Sequence, residues 1–205
     1  MCIVPNKDGY LPWQVDPHLI APRRDKGASD DFNRADGPLE NSTPFWTRDG
    51  VVGGAGAAII SNGMLGAVGT AQQSCYYCPD CGSTDQYVQV VVKGVSGSPG
   101  MFVCCRMTDR SNFVGLIVNT GTGGLEVWKN IGGSYTALTT NGPPVNVNDM
   151  IRLEVQGNNW RAYINTVQVR NGTIDAPSLT STRQGLMCGF INQNPTYDNF
   201  LAGRL

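Results

Sequence analysis

Three cysteines within seven residues, Cys75, Cys78 and Cys81, are the strongest chemical signal in the sequence. The stretch 75–82 also contains a proline and a glycine in the positions they take in one knuckle of a zinc ribbon. Structural zinc takes four ligands, so the fourth would have to come from Cys2 or from a partner chain. A disulfide within the stretch and three free thiols are the alternatives.

The later cysteines, Cys104, Cys105 and Cys188, lie in apolar stretches. A cysteine in such a stretch usually behaves as a small buried hydrophobe. If segments 86–95 and 101–107 form a hairpin, Cys104 lies roughly 16 Å from the cysteine-rich stretch, at about 3.3 Å per residue. We therefore expect Cys104 to be too distant to complete a zinc site.

Acidic residues near both ends of the chain offer a second candidate metal site. Asp30, Asp31 and Asp198 carry the oxygen ligands that calcium prefers, and they could meet if the first and last strands are neighbours. The alternative is that these carboxylates cap turns and strand ends.

Hydrolytic machinery is not recognisable in the sequence. Glycosidases need two carboxylates about 5–9 Å apart. None of the glutamates, Glu40, Glu126 and Glu154, has an acidic partner two or five positions away within a strand. The single histidine, His18, lies in a proline-rich segment, and no G-x-S-x-G motif occurs. We predict that the protein is not an enzyme.

The elements that must position these residues are predicted to be short β-strands. Apolar runs rich in Val, Ile, Tyr and Phe recur at intervals of about 8–12 residues between Gly, Asn, Asp and Pro, and no sustained helical spacing appears. This pattern is typical of an all-β sandwich or barrel. The predicted strands are 86–95, 101–107, 113–118, 125–131, 135–138, 150–155, 160–164, 166–169, 185–191 and 197–201.

Composition agrees with this class and excludes several others. Charged residues make up 15% of the chain, and 26 glycines and 12 prolines suit many turns. The formal net charge of −1 argues against nucleic-acid binding, which needs clustered Lys and Arg. No apolar stretch is long enough to span a membrane, and the N-terminus lacks the pattern of a signal peptide.

Residues 1–28 differ from the rest and are predicted to form an extended, proline-rich N-terminal arm before a domain at 29–205. Prolines block both helix and central strand. The arm nevertheless carries apolar side chains that need a surface to lie on, so we expect it to dock on its own domain or on a partner. These side chains are Tyr10, Leu11, Trp13, Leu19 and Ile20.

From Ser29 onward, a series of short motifs resembles one known family, the concanavalin A-like lectin/glucanase (laminin-G-like) jelly roll. More narrowly, the motifs resemble the version of this domain found in minor tail and other virion proteins of phages of actinobacteria. One departure is Asn165-Thr166, where the family pattern has Asn-Gly. The motifs are Asp30–Leu39 with Trp46, Ile60–Leu65, Arg106–Asp109 with Asn112-Phe113, Asn148–Val155, Tyr163–Asn165 with Val169, Gly185-Leu186, and Tyr197–Phe200.

The resemblance implies an antiparallel β-sandwich whose first and last strands are neighbours, with Phe32 and Phe200 in one end of the core. It implies a structural virion protein assembled in the host cytoplasm, most simply a minor tail protein that contacts host envelope glycan. Residues 1–28 would then bind other virion proteins, and the protein would be a homo-oligomer in the particle. The alternatives are a capsid decoration protein, a freestanding bacterial carbohydrate-binding module and, less favoured, a glycoside hydrolase.

Within such a fold, aromatic side chains are the natural platform for a sugar ring. Tyr76 and Tyr77 are expected in an exposed loop held rigid by the neighbouring cysteines. Trp128 alternates with Val127, so one of the two faces outward, and Tyr135 follows a turn. We predict Tyr76, Tyr77, Trp128 and Tyr135 as ligand-binding residues.

Overall fold

The described part of the chain contains sixteen β-strands and the turns and loops between them. The computed structural model describes residues 27–39, 46–49, 57–68, 74–95, 101–119, 121–188 and 196–205. The strands are β1 (Ala28–Asp30), β2 (Gly37–Pro38), β3 (Thr47–Asp49), β4 (Ala57–Ser61), β5 (Met64–Val68), β6 (Ser74–Tyr77), β7 (Gln86–Gly94), β8 (Met101–Asp109), β9 (Asn112–Asn119), β10 (Gly124–Ile131), β11 (Ser134–Thr139), β12 (Met150–Gln156), β13 (Asn159–Ile164), β14 (Val167–Thr173), β15 (Gly185–Cys188) and β16 (Thr196–Arg204).

Two antiparallel sheets stack into a sandwich, which confirms the predicted fold class. The larger sheet has nine strands in the order β14-β13-β12-β7-β16-β5-β4-β2, with β1 also paired to β16. The smaller sheet has seven strands in the order β11-β10-β9-β8-β15-β6-β3. The first and last strands are neighbours, as expected, with Asp30 opposite Phe200.

The inner faces of the two sheets form one hydrophobic core, and alternation along each strand supplies it. Val88, Val90 and Val92 of β7 point inward, and so do Ile151, Leu153 and Val155 of β12. One end of this core is aromatic. The ring centroids of Phe32 and Phe200 lie 6.5 and 4.9 Å from that of Trp46, as the resemblance implied for the two phenylalanines.

Tight turns with left-handed backbone join three of the hairpins. Asn62-Gly63 has φ values of 52° and 69°, and Gly132-Gly133 has 59° and 86°. Such pairs match the right-handed twist of the strands. Asn165-Thr166 adopts the same shape, with φ values of 50° and 74°. The β-branched Thr166 is therefore strained where the family pattern places glycine.

The expected hairpin between segments 86–95 and 101–107 is wrong. β7 belongs to the larger sheet and β8 to the smaller, so their connection crosses from one layer to the other. Of the predicted arm, only Ala28 is described as part of a strand, and residues 1–26 lie outside the described residues. Among the described residues, no helix has the length and apolar character needed to cross a bilayer.

Candidate functional site

Two rows of outward side chains cross the larger sheet and define what we call the polar face. Paired positions on β1, β16, β7, β12, β13 and β14 form the first row, which is about 24 Å long at about 4.8 Å per strand. The second row lies beside it. The first row is Ser29, Leu201, Gln89, Arg152, Tyr163 and Gln168, and the second is Gly203, Tyr87, Glu154, Arg161 and Asn171.

Glu154 is the centre of this face. Its carboxylate accepts hydrogen bonds from Arg152 Nε at 2.9 Å and from the Tyr163 hydroxyl at 2.9 Å. Arg161 completes the group with an ion pair of 3.5 Å to the second carboxylate oxygen. The Glu154 side chain is 13% exposed, so these charge-assisted bonds hold four side chains in one fixed arrangement that still faces solvent.

A buried aromatic ring supports the arginine. The guanidinium carbon of Arg152 lies 4.0 Å from the ring centroid of Tyr87, which is the geometry of a cation–π contact. The same ring lies close to Gly203, where an added Cβ would be 3.0 Å from a ring atom. A side chain at position 203 would therefore displace the ring that contacts Arg152.

The protonation state of Tyr163 is fixed by its surroundings. Partial burial raises the pKa of the Tyr163 hydroxyl, and the hydrogen bond and negative charge of Glu154 raise it further. The hydroxyl therefore remains a donor throughout the neutral range.

A depression of about 580 Å³ adjoins the first row and shares Gln89 and Leu201 with it. Its floor is a buried ion pair in which Arg34 binds both carboxylate oxygens of Asp30, at 2.6 and 2.9 Å. The Trp46 indole also donates to Asp30, at 2.6 Å. Burial alone would raise the pKa of Asp30, but the hydrogen bonds from Arg34, Trp46 and the Phe32 amide outweigh burial and lower it.

The predicted calcium site is not formed by the described carboxylates. Arg34, Trp46 and a backbone amide already occupy Asp30. Asp31 accepts the amide of Asn33, and Asp198 accepts that of Asn199. These are the turn-capping roles of the alternative interpretation. Among the described residues, no three His, Cys, Asp or Glu side chains converge as metal ligands would.

The described residues do not bring Cys75, Cys78 and Cys81 together as zinc ligands. Cys75 is in β6 and faces outward from the smaller sheet, whereas Cys78 packs in the inner core, because alternation sends them to opposite faces. The thiols of Cys78 and Cys81 each donate to a backbone carbonyl at 3.3 Å. Burial raises both pKa values, which favours the thiol over the metal-binding thiolate.

The structure joins no two of the described cysteines in a disulfide. Cys104, Cys105 and Cys188 are fully buried, as predicted for small hydrophobic residues. Burial is the main cause that raises the pKa of both Cys104 and Cys105 well above its usual value.

The prediction that Tyr76 and Tyr77 lie in an exposed loop is wrong. Both lie in β6, between β15 and β3, and both are buried. Tyr76 points into the core, where its hydroxyl accepts the Ala58 amide at 3.0 Å. Tyr77 points outward, but Arg183 lies 4.2 Å above its ring.

Three of the four predicted aromatic residues lie in one cluster on the outer face of the smaller sheet. Trp128 and Tyr135 are half-buried and pack against the same cluster as Tyr77. The Trp128 indole donates to Glu126 at 2.9 Å. We call this surface the apolar face. Its residues are Cys75, Tyr77, Phe102, Cys104, Met107, Phe113, Ile117 and Met187, with Trp128 and Tyr135 beside them.

The two described glutamates cannot flank one glycosidic bond. Glu154 lies on the outer side of the larger sheet and Glu126 on that of the smaller, and stacked sheets are about 10 Å apart. Glu40 lies outside the described residues. The described glutamates therefore do not form the carboxylate pair of a glycosidase.

Sequence reasoning missed the polar face, although strand alternation carried part of the signal. Arg152 alternates with Ile151 and Leu153, which is the pattern of an outward side chain, and the structure places it there. The same alternation would have placed Glu154 beside it. Tyr163 and Arg161 alternate with Ala162 in the same way, but only the register of β12 and β13 brings them to Glu154.

Comparisons with solved structures support the fold. A protein of unknown function with a galectin-like fold from Bacillus subtilis has a TM-score of 0.60 at 10% identity, covering 86% of this chain and 94% of its own. The carbohydrate-binding module CBM66 from the same organism has a TM-score of 0.53 at 17% identity, covering 78% and 92%. The exoplasmic/lumenal domain of VIP36, bound to Ca²⁺ and Man3GlcNAc, has a TM-score of 0.51 at 12% identity, covering 79% and 84%.

No protein-family model matches the sequence, and no curated protein matches it. At these identities the solved structures establish a galectin-like, concanavalin-like β-sandwich and leave the activity open. Glycoside hydrolase domains share the same architecture.

Proposed function

We propose that the protein is a carbohydrate-binding module that binds its ligand on the polar face. The observation that carries the proposal is the rigid group around Glu154, in which Arg152, Arg161 and Tyr163 converge on one carboxylate at the surface of a sheet. The fold supports it because a carbohydrate-binding module and a glycan-bound lumenal domain share the same architecture.

The chemistry of the face suits a polyhydroxylated ligand. Sugar hydroxyls both donate and accept, and the face alternates donors from Arg152 and Arg161 with acceptors from Gln89 and Glu154. These groups are held before any ligand arrives, so binding loses little side-chain entropy. The row length of about 24 Å suits an extended chain better than a single sugar.

The test is binding of the purified protein to a glycan array and to bacterial cell-wall polysaccharide. The double variant Gln89→Ala, Arg161→Ala is chosen because Gln89 is half-exposed and the Arg161 side chain is 38% exposed. We expect at least a tenfold loss of affinity, equivalent to about 1.4 kcal/mol.

The matched control is Thr136→Ala, an exposed position in β11 of the smaller sheet. It is expected to bind as the wild type does. The proposal fails if the wild-type protein binds no glycan, or if the double variant and the control bind equally well.

The biological setting we propose is the virion of a tailed phage, as a minor tail protein. The sequence motifs of the β-sandwich support this setting, since they resemble those of actinobacteriophage virion proteins. A test is the protein content of purified particles and the identity of the neighbouring genes. Absence from particles would leave a freestanding carbohydrate-binding module.

A further inference from the structure

The apolar face is buried although it is the outer side of a sheet. Phe113, Cys104 and Met187 are 0% exposed, and Ile117 is 2% exposed. On the polar face, by contrast, Tyr87 is the one buried outward side chain, beneath Arg152, and the other outward side chains reach solvent. Something in the chain therefore covers this surface.

The described strands do not supply that cover, because they form two sheets and no third layer. Outside their own sheet, the principal strand contacts of β8 and β9 are with β7 and β12, through the inner core. Residues 181–183 reach one end of the face, where Ser181 donates to the Met107 carbonyl at 2.9 Å and Arg183 lies over Tyr77.

The short internal stretches outside the described residues are unsuited to the task. Each has five to seven residues and joins a strand of one sheet to a strand of the other. Crossing about 10 Å between layers takes about three of those residues, and the face is about 29 Å wide at about 4.8 Å per strand. These stretches are 40–45, 50–56, 69–73, 96–100 and 189–195.

We propose that residues 1–26 dock on the apolar face of their own chain. Twenty-six residues can reach up to about 86 Å when extended, which is ample. The segment joins the domain at Gly27, which lies against the carbonyl oxygen of Ala202. The neighbouring Gly203 carbonyl accepts the Gln184 side chain at 2.6 Å, which links the larger sheet to the residue before β15 of the smaller sheet. The arm therefore leaves the larger sheet near a point where the two sheets are joined, and its length is enough to reach the outer side of the smaller sheet.

The residue types of segment 1–26 suit the apolar face. Residues 1–26 carry Tyr10, Leu11, Trp13, Leu19 and Ile20 among prolines. Prolines keep a segment extended and remove amide donors, which suits a strap lying across a finished sheet. The aromatic group of Phe102, Phe113 and Tyr135, with ring centroids 5.6 to 6.2 Å apart, offers such a strap a matching apolar surface.

Photo-cross-linking of the full-length protein tests the proposal directly. Trp13 is replaced by p-benzoylphenylalanine, and cross-linked peptides are identified by mass spectrometry. We expect links within one chain to peptides containing β8, β9 or β15. The same label at Val147, a loop position that is 49% exposed, is the control and should give none of these links. Links from position 13 to β12 or β13, or only between two chains, would overturn the proposal.

Adjacent cysteines provide a second measurement with an internal control. Cys104 faces the apolar face and Cys105 the inner core, and both are fully buried. In the variant Trp13→Asp, Leu19→Asp, we expect alkylation of Cys104 to become at least tenfold faster while Cys105 stays protected. Equal labelling of the two cysteines, or continued protection of both, would contradict docking of the arm on this face.

Discussion

The two outer faces of the sandwich have opposite character. The polar face of the larger sheet carries Arg152, Glu154 and Tyr163 in a hydrogen-bonded group that remains partly exposed. The apolar face of the smaller sheet carries Phe102, Phe113 and Ile117, all nearly or fully buried. Both faces are built by strand alternation, so the difference lies in which residue types occupy the outward positions.

The difference in residue types suits one face to binding a ligand and the other to packing. Outward charged residues that bond to each other keep their positions without a cover and leave donors and acceptors for a ligand. Outward aromatic and aliphatic residues gain stability only when something removes them from water. Tyr76 and Tyr77 are therefore packing residues, whereas a role in binding for the half-buried Trp128 and Tyr135 stays a prediction.

Truncating a ring on the apolar face should give the largest effect. Phe113→Ala removes a fully buried aromatic side chain and is expected to lower the free energy of unfolding by about 3–5 kcal/mol. Gln89→Ala on the polar face should change it by no more than about 0.5 kcal/mol. Urea denaturation measures both, and equal midpoints for the two variants would show that the faces do not differ in burial.

Acid should weaken the protein at the edge of the polar face. Asp30 has a lowered pKa, so its contribution is fully present above the unfolded value of about 3.9 and is lost as pH falls through the folded value. Asp30→Asn is expected to cost about 1.5–3 kcal/mol at neutral pH, since charged hydrogen bonds to Arg34 and Trp46 are lost.

The same variant sharpens the comparison below pH 4. The difference in stability between wild type and Asp30→Asn should narrow as pH falls below the unfolded value of about 3.9 toward the lowered folded value, because unfolding of the wild type then takes up a proton. Phe113→Ala should keep its deficit at every pH. Thermal melts from pH 7 to pH 3 give the comparison, and a constant difference between Asp30→Asn and wild type would contradict it.

Replacing one glycine by alanine on each face should lower stability on the apolar face and glycan binding on the polar face. At Gly115 a Cβ would lie 2.8 Å from the Phe102 ring, so Gly115→Ala is expected to destabilise the protein by about 1–3 kcal/mol. At Gly203 a Cβ would lie 3.0 Å from Tyr87. Gly203→Ala should displace the support of Arg152 and weaken glycan binding several-fold. Melting and binding assays are made on both variants. A larger loss of glycan binding in Gly115→Ala than in Gly203→Ala would contradict the assignment of binding to the polar face.

A small effect on stability is also expected for a single exposed charge. The ion pair between Arg161 and Glu154 measures 3.5 Å, and the Arg161 side chain is 38% exposed. Arg161→Ala should therefore change the free energy of unfolding by less than about 1 kcal/mol. A loss comparable to that of Phe113→Ala would show that the polar face contributes to folding as much as the apolar one.

Several local features of the fold could be predicted from residue types alone. Val88, Val90 and Val92 alternate, and the structure confirms them as core. The Asn62-Gly63 turn also follows from sequence, since these residues accept positive φ. β6 was missed because it contains Cys75 and is followed by Cys78, Pro79 and Cys81, where turn chemistry outweighed strand propensity.

The sequence by itself determined the all-β class, and its period of two marks Arg152 as outward and Ile151 as inward. It left open whether Trp128 or Val127 faces outward, and the structure places Trp128 outward. Only the tertiary structure decided which residues meet. Register brings Tyr163 to Glu154 across two strands, and sheet order assigns β7 and β8 to opposite layers. These outcomes depend on pairings between distant segments, and spacing along the chain carries no information about such pairings.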